Sequence, residues 1–113
     1  MLVDVNKVKI LVTVPNGNIE NVRNAMCEAG AGIIGNYSFC TTSTKSTGTF
    51  IPNENAKPCI GKKNKLEVVK GEKLEAVCDL TRVKQVIAKI REVQPYEEPA
   101  IDIVPLLDEN IFD

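Results

Sequence analysis

Apolar and polar positions alternate from Lys7 to Val14: Val8, Ile10, Val12 and Val14 share one face, and Lys7, Lys9, Leu11 and Thr13 the other. A period of two predicts a half-buried strand, which Pro15 stops. After Asn16-Gly17-Asn18 the period lengthens: Ile19, Val22, Met26 and Ala29 recur at helical spacing, with Asn18 placed as N-cap and Gly30 as C-terminal stop. From Asn36 to Thr42 alternation returns, with Tyr37, Phe39 and Thr41 on one face. Thr47 to Ile51 reads as a return strand after a polar turn at Thr44-Lys45-Ser46. Leu66 to Leu80 reads as a further strand, Leu74, Ala76, Cys78 and Leu80 opposing Lys73, Glu75, Val77 and Asp79, with a bulge or tight turn expected at Gly71. Thr81 then offers an N-cap to a second helix whose stripe is Val83, Val86, Ile87, Ile90 and Val93. Pro95 ends that helix by disfavouring the helical conformation at Gln94. Pro99 to Pro105 closes the pattern as a strand fenced by prolines.

Two helices separated by strands predict an α+β fold: a ferredoxin-like βαββαβ sandwich with an extended β-hairpin, a mostly antiparallel sheet and both helices on one face. The 113 residues suit a single domain, with its core expected at about residues 7–106. Pro52 to Lys65 carries two prolines, three asparagines and a glycine; a connection of that length is functional or mobile.

Charge narrows the function classes. Fourteen basic and fifteen acidic residues leave a net charge of −1, which removes the long-range field that phosphate-neutralising proteins use, so no nucleic-acid partner is expected. Lys57, Lys62, Lys63, Lys65 and Lys70 cluster, but such a group reads first as a solvated face. No apolar run approaches the ~20 residues of a membrane span and Met1-Leu2-Val3-Asp4 lacks signal-peptide features, so a cytoplasmic protein with no membrane partner is expected. The cysteines at 27, 40, 59 and 78 form no Cys-x-x-Cys pair. Reduced, structural thiols are expected, Cys27 and Cys78 as small hydrophobes, and no metal site or cofactor is assigned.

Five of the seven glycines and three of the five aromatics lie between Gly30 and Gly61. Gly30, Gly32, Gly35, Asn36 and Tyr37 follow the first helix, and Thr47, Gly48, Thr49 and Phe50 follow in an extended segment. The glycines read first as backbone geometry; an anion cradle is the sharper alternative, weakened because helix carbonyls rather than free N–H groups point toward them. Small residues beside Phe50 permit close approach of a flat ligand or a neighbouring subunit. Tyr37, Phe39 and Phe50 read as core or interface rather than as a base-stacking platform. Tyr96, Glu97 and Glu98 invite a general acid and base, but adjacent residues of an extended segment point to opposite faces. No catalytic residue is assigned: with no histidine, a cysteine or serine lacks its usual activating base.

Three blocks in register, Ala29 to Gly32 through Gly35-Asn36-Tyr37 with Cys40, then Thr47-Gly48-Thr49-Phe50 with Pro52, then Pro95-Tyr96-Glu97-Glu98-Pro99-Ala100, closely resemble the inserted domain of the YqfO or Nif-three-like proteins over about residues 7–106. That resemblance implies a ferredoxin-like domain similar to PII signalling proteins and CutA, which form trimers. It implies a free-standing copy of a module whose larger relatives carry a two-metal site in flanking regions, sometimes labelled a GTP cyclohydrolase-type hydrolase. The family often has histidine before Pro-Tyr-Glu-Glu-Pro, where this chain has Gln94. The expectation is a non-catalytic, homo-oligomeric module, trimer favoured, that senses a small ligand or ion or regulates a partner. Gly30, Gly32, Gly35, Asn36, Tyr37, Thr47, Gly48, Thr49, Phe50, Tyr96, Glu97 and Glu98 are its candidate ligand or interface residues. The alternatives are a hydrolase-type enzyme with Tyr37, Glu97, Glu98 and the 52–65 loop meeting at a subunit interface, and metal binding by Cys40, Cys59 and a glutamate.

Overall fold

The computed structural model describes residues 3–112. Strand β1 (Lys7–Pro15) leads through helix α1 (Ile19–Glu28) to β2 (Thr42–Phe50) and β3 (Glu67–Asp79); helix α2 (Val83–Val93) and β4 (Ile101–Leu106) follow. The strands form one sheet in the order β2-β3-β1-β4, and every neighbouring pair is antiparallel. This is the expected α+β, ferredoxin-like arrangement.

The core lies on one face of the sheet. Val8, Ile10, Val12 and Val14 of β1 face the same way as Leu74, Ala76 and Cys78 of β3, and Val22 and Met26 of α1 with Val86 and Ile90 of α2 close over them. Alternation along β1 and the 3.6-residue stripes of the helices are what make this burial possible. Cys27 and Cys78 are buried, as small apolar residues would be. Neither α1 nor α2 covers the other face. By register it presents Leu11 and Thr13 of β1, Val77 and Gly71 of β3, Gly48 and Phe50 of β2, and Val104 and Leu106 of β4.

Several local expectations are corrected. Residues 42–50 form one continuous strand through the expected Thr44-Lys45-Ser46 turn, each paired in sequence with β3 from Glu75 to Glu67. Threonine favours extended backbone, and this segment has no residue at positive φ to turn it. The hairpin is therefore β2 with β3, closed by residues 51–66. Tyr37 and Phe39 lie in a loop, where Ile34 and Tyr37 exchange backbone hydrogen bonds of 2.9 and 3.0 Å around Gly35-Asn36. Gly71 carries no bulge: it pairs one for one with Pro15 and with Ser46. Its missing side chain serves close approach, because a Cβ there would collide with the Val14 carbonyl oxygen.

Neither predicted N-cap makes a side-chain cap. Asn18 Nδ2 instead donates to the Val93 carbonyl at 2.9 Å, tying the start of α1 to the end of α2. Thr81 lies inside a short 3-10 turn, Leu80–Arg82, that delivers the chain into α2. Gly30 does end the first helix: at φ +119° it lets its N–H reach the Cys27 carbonyl at 3.1 Å and the Ala31 N–H reach Met26 at 3.0 Å.

Candidate functional site

At the end of the sheet where β2 and β3 join, a cleft of about 690 Å³ opens on the helix-free side. Its floor is sheet: Thr13 of β1, Val69 and Gly71 of β3, and Gly48 and Phe50 of β2. One wall is the hairpin loop, from Ile51 and Pro52 through Asn53, Asn55 and Pro58 to Cys59 and Ile60. The other is the segment after α2, with Tyr96, Glu97, Glu98 and Ala100. The floor has room because Gly48 contributes no side chain and nothing lies within 4 Å of where its Cβ would be.

One contact joins the two walls and another joins the floor to a wall. The Lys57 backbone N–H donates to Glu97 Oε1 at 3.0 Å, and Phe50 meets Tyr96 edge to face with ring centroids 6.2 Å apart. The loop also holds itself. Asn53 Oδ1 accepts the Asn55 N–H at 2.9 Å, the Asn64 N–H reaches the Pro52 carbonyl at 2.6 Å, and Pro52 is buried. Burial pushes the Tyr96 phenol up from its ordinary value, with Cys59 nearby adding to the shift, so the ring stands neutral in the cleft. Behind the floor, Gln94 is 6% exposed; its Nε2 donates to the Thr13 carbonyl at 2.9 Å while its Oε1 has no partner.

The candidate residues divide into two groups. Gly48, Thr49, Phe50, Tyr96, Glu97 and Glu98 line this cleft together. Glu97 and Glu98 do so because residues 96–98 form a bend, so the opposite-face rule for a strand does not apply. Thr47 is exposed on β2 and is not part of the lining. Gly30, Gly32, Gly35, Asn36 and Tyr37 lie toward the other end of β3, where the Gly32 N–H donates to Val77 at 2.7 Å. There the Gly30 and Gly32 amides are spent on backbone carbonyls, and Tyr37 is 75% exposed. Cys40 lines a separate, smaller cleft with Ile34 and Val77, apart from Cys59. Among the described residues no group of three or more Cys, Asp or Glu side chains could hold a metal ion. Sequence reasoning missed Thr13, Val69 and Gly71 as floor; the break in alternation at Gly71 was the one signal that could have found them. Among the described residues no helix is long and apolar enough to cross a membrane.

No family model matches the chain. Among proteins of known sequence it is 46% identical over 102 residues to a GTP cyclohydrolase 1 type 2 homolog of Halalkalibacterium halodurans, covering 90% of this chain and 27% of that protein. The homolog of Bacillus subtilis is 44% identical over 98 residues, covering 87% and 26%. A Bacillus cereus protein related to NIF3 superposes with a TM-score of 0.79 at 39% identity, over 90% of this chain and 26% of that one. Two other solved structures share the fold over most of both chains. The CutA divalent cation tolerance protein of Archaeoglobus fulgidus has a TM-score of 0.65 at 15% identity, covering 88% and 83%; the GlnK-ATP complex of B. subtilis has 0.60 at 14%, covering 89% and 82%. The chain thus spans about a quarter of the length of the curated relatives it matches. It is a homologue of that one segment of the GTP cyclohydrolase 1 type 2 homologs, the NIF3-related proteins, and it is folded as a CutA-like and PII-like module.

Proposed function

We propose that this chain is a non-catalytic, homo-oligomeric PII/CutA-like module, assembled as a trimer, that binds a small ligand or ion in the cleft between the hairpin loop and residues 96–100 and passes its occupancy to a partner. The observation that carries the reading is the cleft itself. Its volume of about 690 Å³ falls within the roughly 300–1,000 Å³ typical of small-molecule sites, with mostly apolar walls and a few convergent polar groups. The fold shared with CutA and GlnK is what supports the module reading.

Assembly is supported by what the protomer leaves open. The helix-free face exposes Val104 to 44%, and β2 ends the sheet with an unpaired edge nine residues long. Sedimentation equilibrium of the purified chain at micromolar concentration tests it: three chains per particle are expected, and a stable monomer overturns the oligomeric reading. Native mass spectrometry of the same preparation, without denaturation, reads out any retained small molecule.

A second reading, a hydrolase-type enzyme with its site at the subunit interface, is favoured by one observation, that Glu97 and Glu98 line the same cleft. On that reading the pair Glu97→Gln and Glu98→Gln abolishes turnover of chromogenic ester and phosphoester substrates; turnover that survives both changes removes it.

A further inference from the structure

The charged side chains that line the cleft are Glu97 and Glu98, and no Lys or Arg side chain is among its walls. That asymmetry is not imposed by composition, since Lys57, Lys62, Lys63, Lys65 and Lys70 all lie on the same hairpin arm. Neither glutamate is neutralised. The two ion pairs among the described residues are Lys9 with Glu75 and Lys89 with Glu92. Glu97 accepts a neutral backbone N–H from Lys57. Two adjacent carboxylates without a cation repel each other, and whatever enters beside them is selected by charge.

The remaining surface is apolar and aromatic. Phe50 and Tyr96 meet at the cleft in an edge-to-face pair, with Pro52, Pro58 and Val69 around them. Aromatic ring faces attract cations and pack against flat bodies. The walls therefore call for two properties in one molecule.

We infer that the cleft takes a small cationic amine carried on a flat apolar body, and not a polyphosphate; this class rests on the ligand-binding reading above. The amine sits against Glu97 and Glu98 and the flat body lies between the Phe50–Tyr96 pair and the floor left open by Gly48. The exposed lysines of the arm do not reverse this selection. Their side chains do not line the cleft, whereas Glu97 and Glu98 do, so the charge nearest a bound ligand is negative.

Two indoles of opposite charge, with ATP as the polyphosphate, test the class. Tryptamine, indole-3-propionate and ATP are titrated into the full chain, and binding is read from the backbone ¹⁵N–¹H shifts of Gly48, Gly71 and Ala100, which line the cleft. Tryptamine is expected to bind about fivefold or more tightly than indole-3-propionate at low salt, the scale set by two partly exposed ion pairs, and the ratio narrows at high salt. Glu97→Gln with Glu98→Gln keeps an acceptor for the Lys57 N–H and brings the ratio to about one; unchanged shifts in the core at Ala76 show that the variant is folded. A preference for indole-3-propionate or ATP, no preference, or one that survives the double variant overturns the amine class and leaves a ligand-binding cleft standing. If none of the three moves the cleft amides, the class and the cleft reading fall together.

Discussion

Gly71 has no room for a side chain in the sheet. It faces Pro15 on one side and Ser46 on the other, and the Val14 carbonyl oxygen occupies the space a Cβ would need. Gly71→Ala must therefore push apart β1 and β3, and we expect a loss of about 1–3 kcal/mol, read from urea denaturation. Gly48→Ala meets nothing within 4 Å, so it should leave the urea midpoint nearly unchanged while narrowing the cleft. Two buried thiols make a second prediction. Burial pushes Cys27 and Cys78 above the ordinary value of 9.0, with Arg23 and Arg82 respectively pulling the other way. The folded chain then keeps protons that the unfolded chain releases, so this contribution is whole below pH 9 and is lost as pH rises through the higher folded values. The urea midpoint should fall between pH 8 and pH 10, and fall less steeply in Cys78→Ala. A midpoint that climbs over that range refutes the argument.

The hairpin loop stands where β2, β3 and the segment after α2 meet, and Glu97 ties it to that segment by a side-chain hydrogen bond. Glu97→Ala should speed hydrogen exchange at the Lys57 amide severalfold while leaving the exposed-site stability change within about 0.5 kcal/mol. Unchanged exchange would mean that the loop holds its position through Pro52 and the Asn64 hydrogen bond alone. These elements also show what a single sequence reveals. Val8 to Val14 and Val83 to Val93 were legible because each buries one face against a core within the same chain, and burial imposes a period. Thr42 to Phe50 was legible only at its ends: it is an edge strand with mostly exposed side chains, so no period imposed by burial marks Thr44-Lys45-Ser46 as strand rather than turn. The cleft was half legible. Gly48-Thr49-Phe50 and Tyr96-Glu97-Glu98 stand out as residue types, but their meeting depends on pairings across forty or more positions of sequence, such as Lys57 with Glu97 at a separation of 40 and Phe50 with Tyr96 beyond it. Asn18 shows the same limit, its side chain bonding 75 residues away instead of capping its own helix.

For the whole molecule, shape is the telling quantity. The radius of gyration is 15.8 Å and the long axis 52 Å, whereas a compact chain of about this length has a radius near 13 Å. Past the end of β1, Glu67–Val69 of β3 continue as an arm paired with β2, which lengthens the molecule. That arm exposes Ile51, Leu66 and Val68 by 61%, 62% and 55%. An apolar arm and an uncovered sheet face together predict contacts with further copies of the chain. Val104→Asp, on the helix-free face, is expected to lower the sedimenting mass to that of one chain while leaving helical circular dichroism intact; an assembly that survives it places the contact elsewhere. The buried amide at position 94 has a consequence for what such a module reports. Gln94 braces the Thr13 carbonyl under the floor of the cleft, and the chain has no imidazole anywhere. An amide neither gains nor loses charge across the neutral range. The brace is thus indifferent to pH near neutrality, and the charge that selects what fills the chamber comes from its wall, at Glu97 and Glu98.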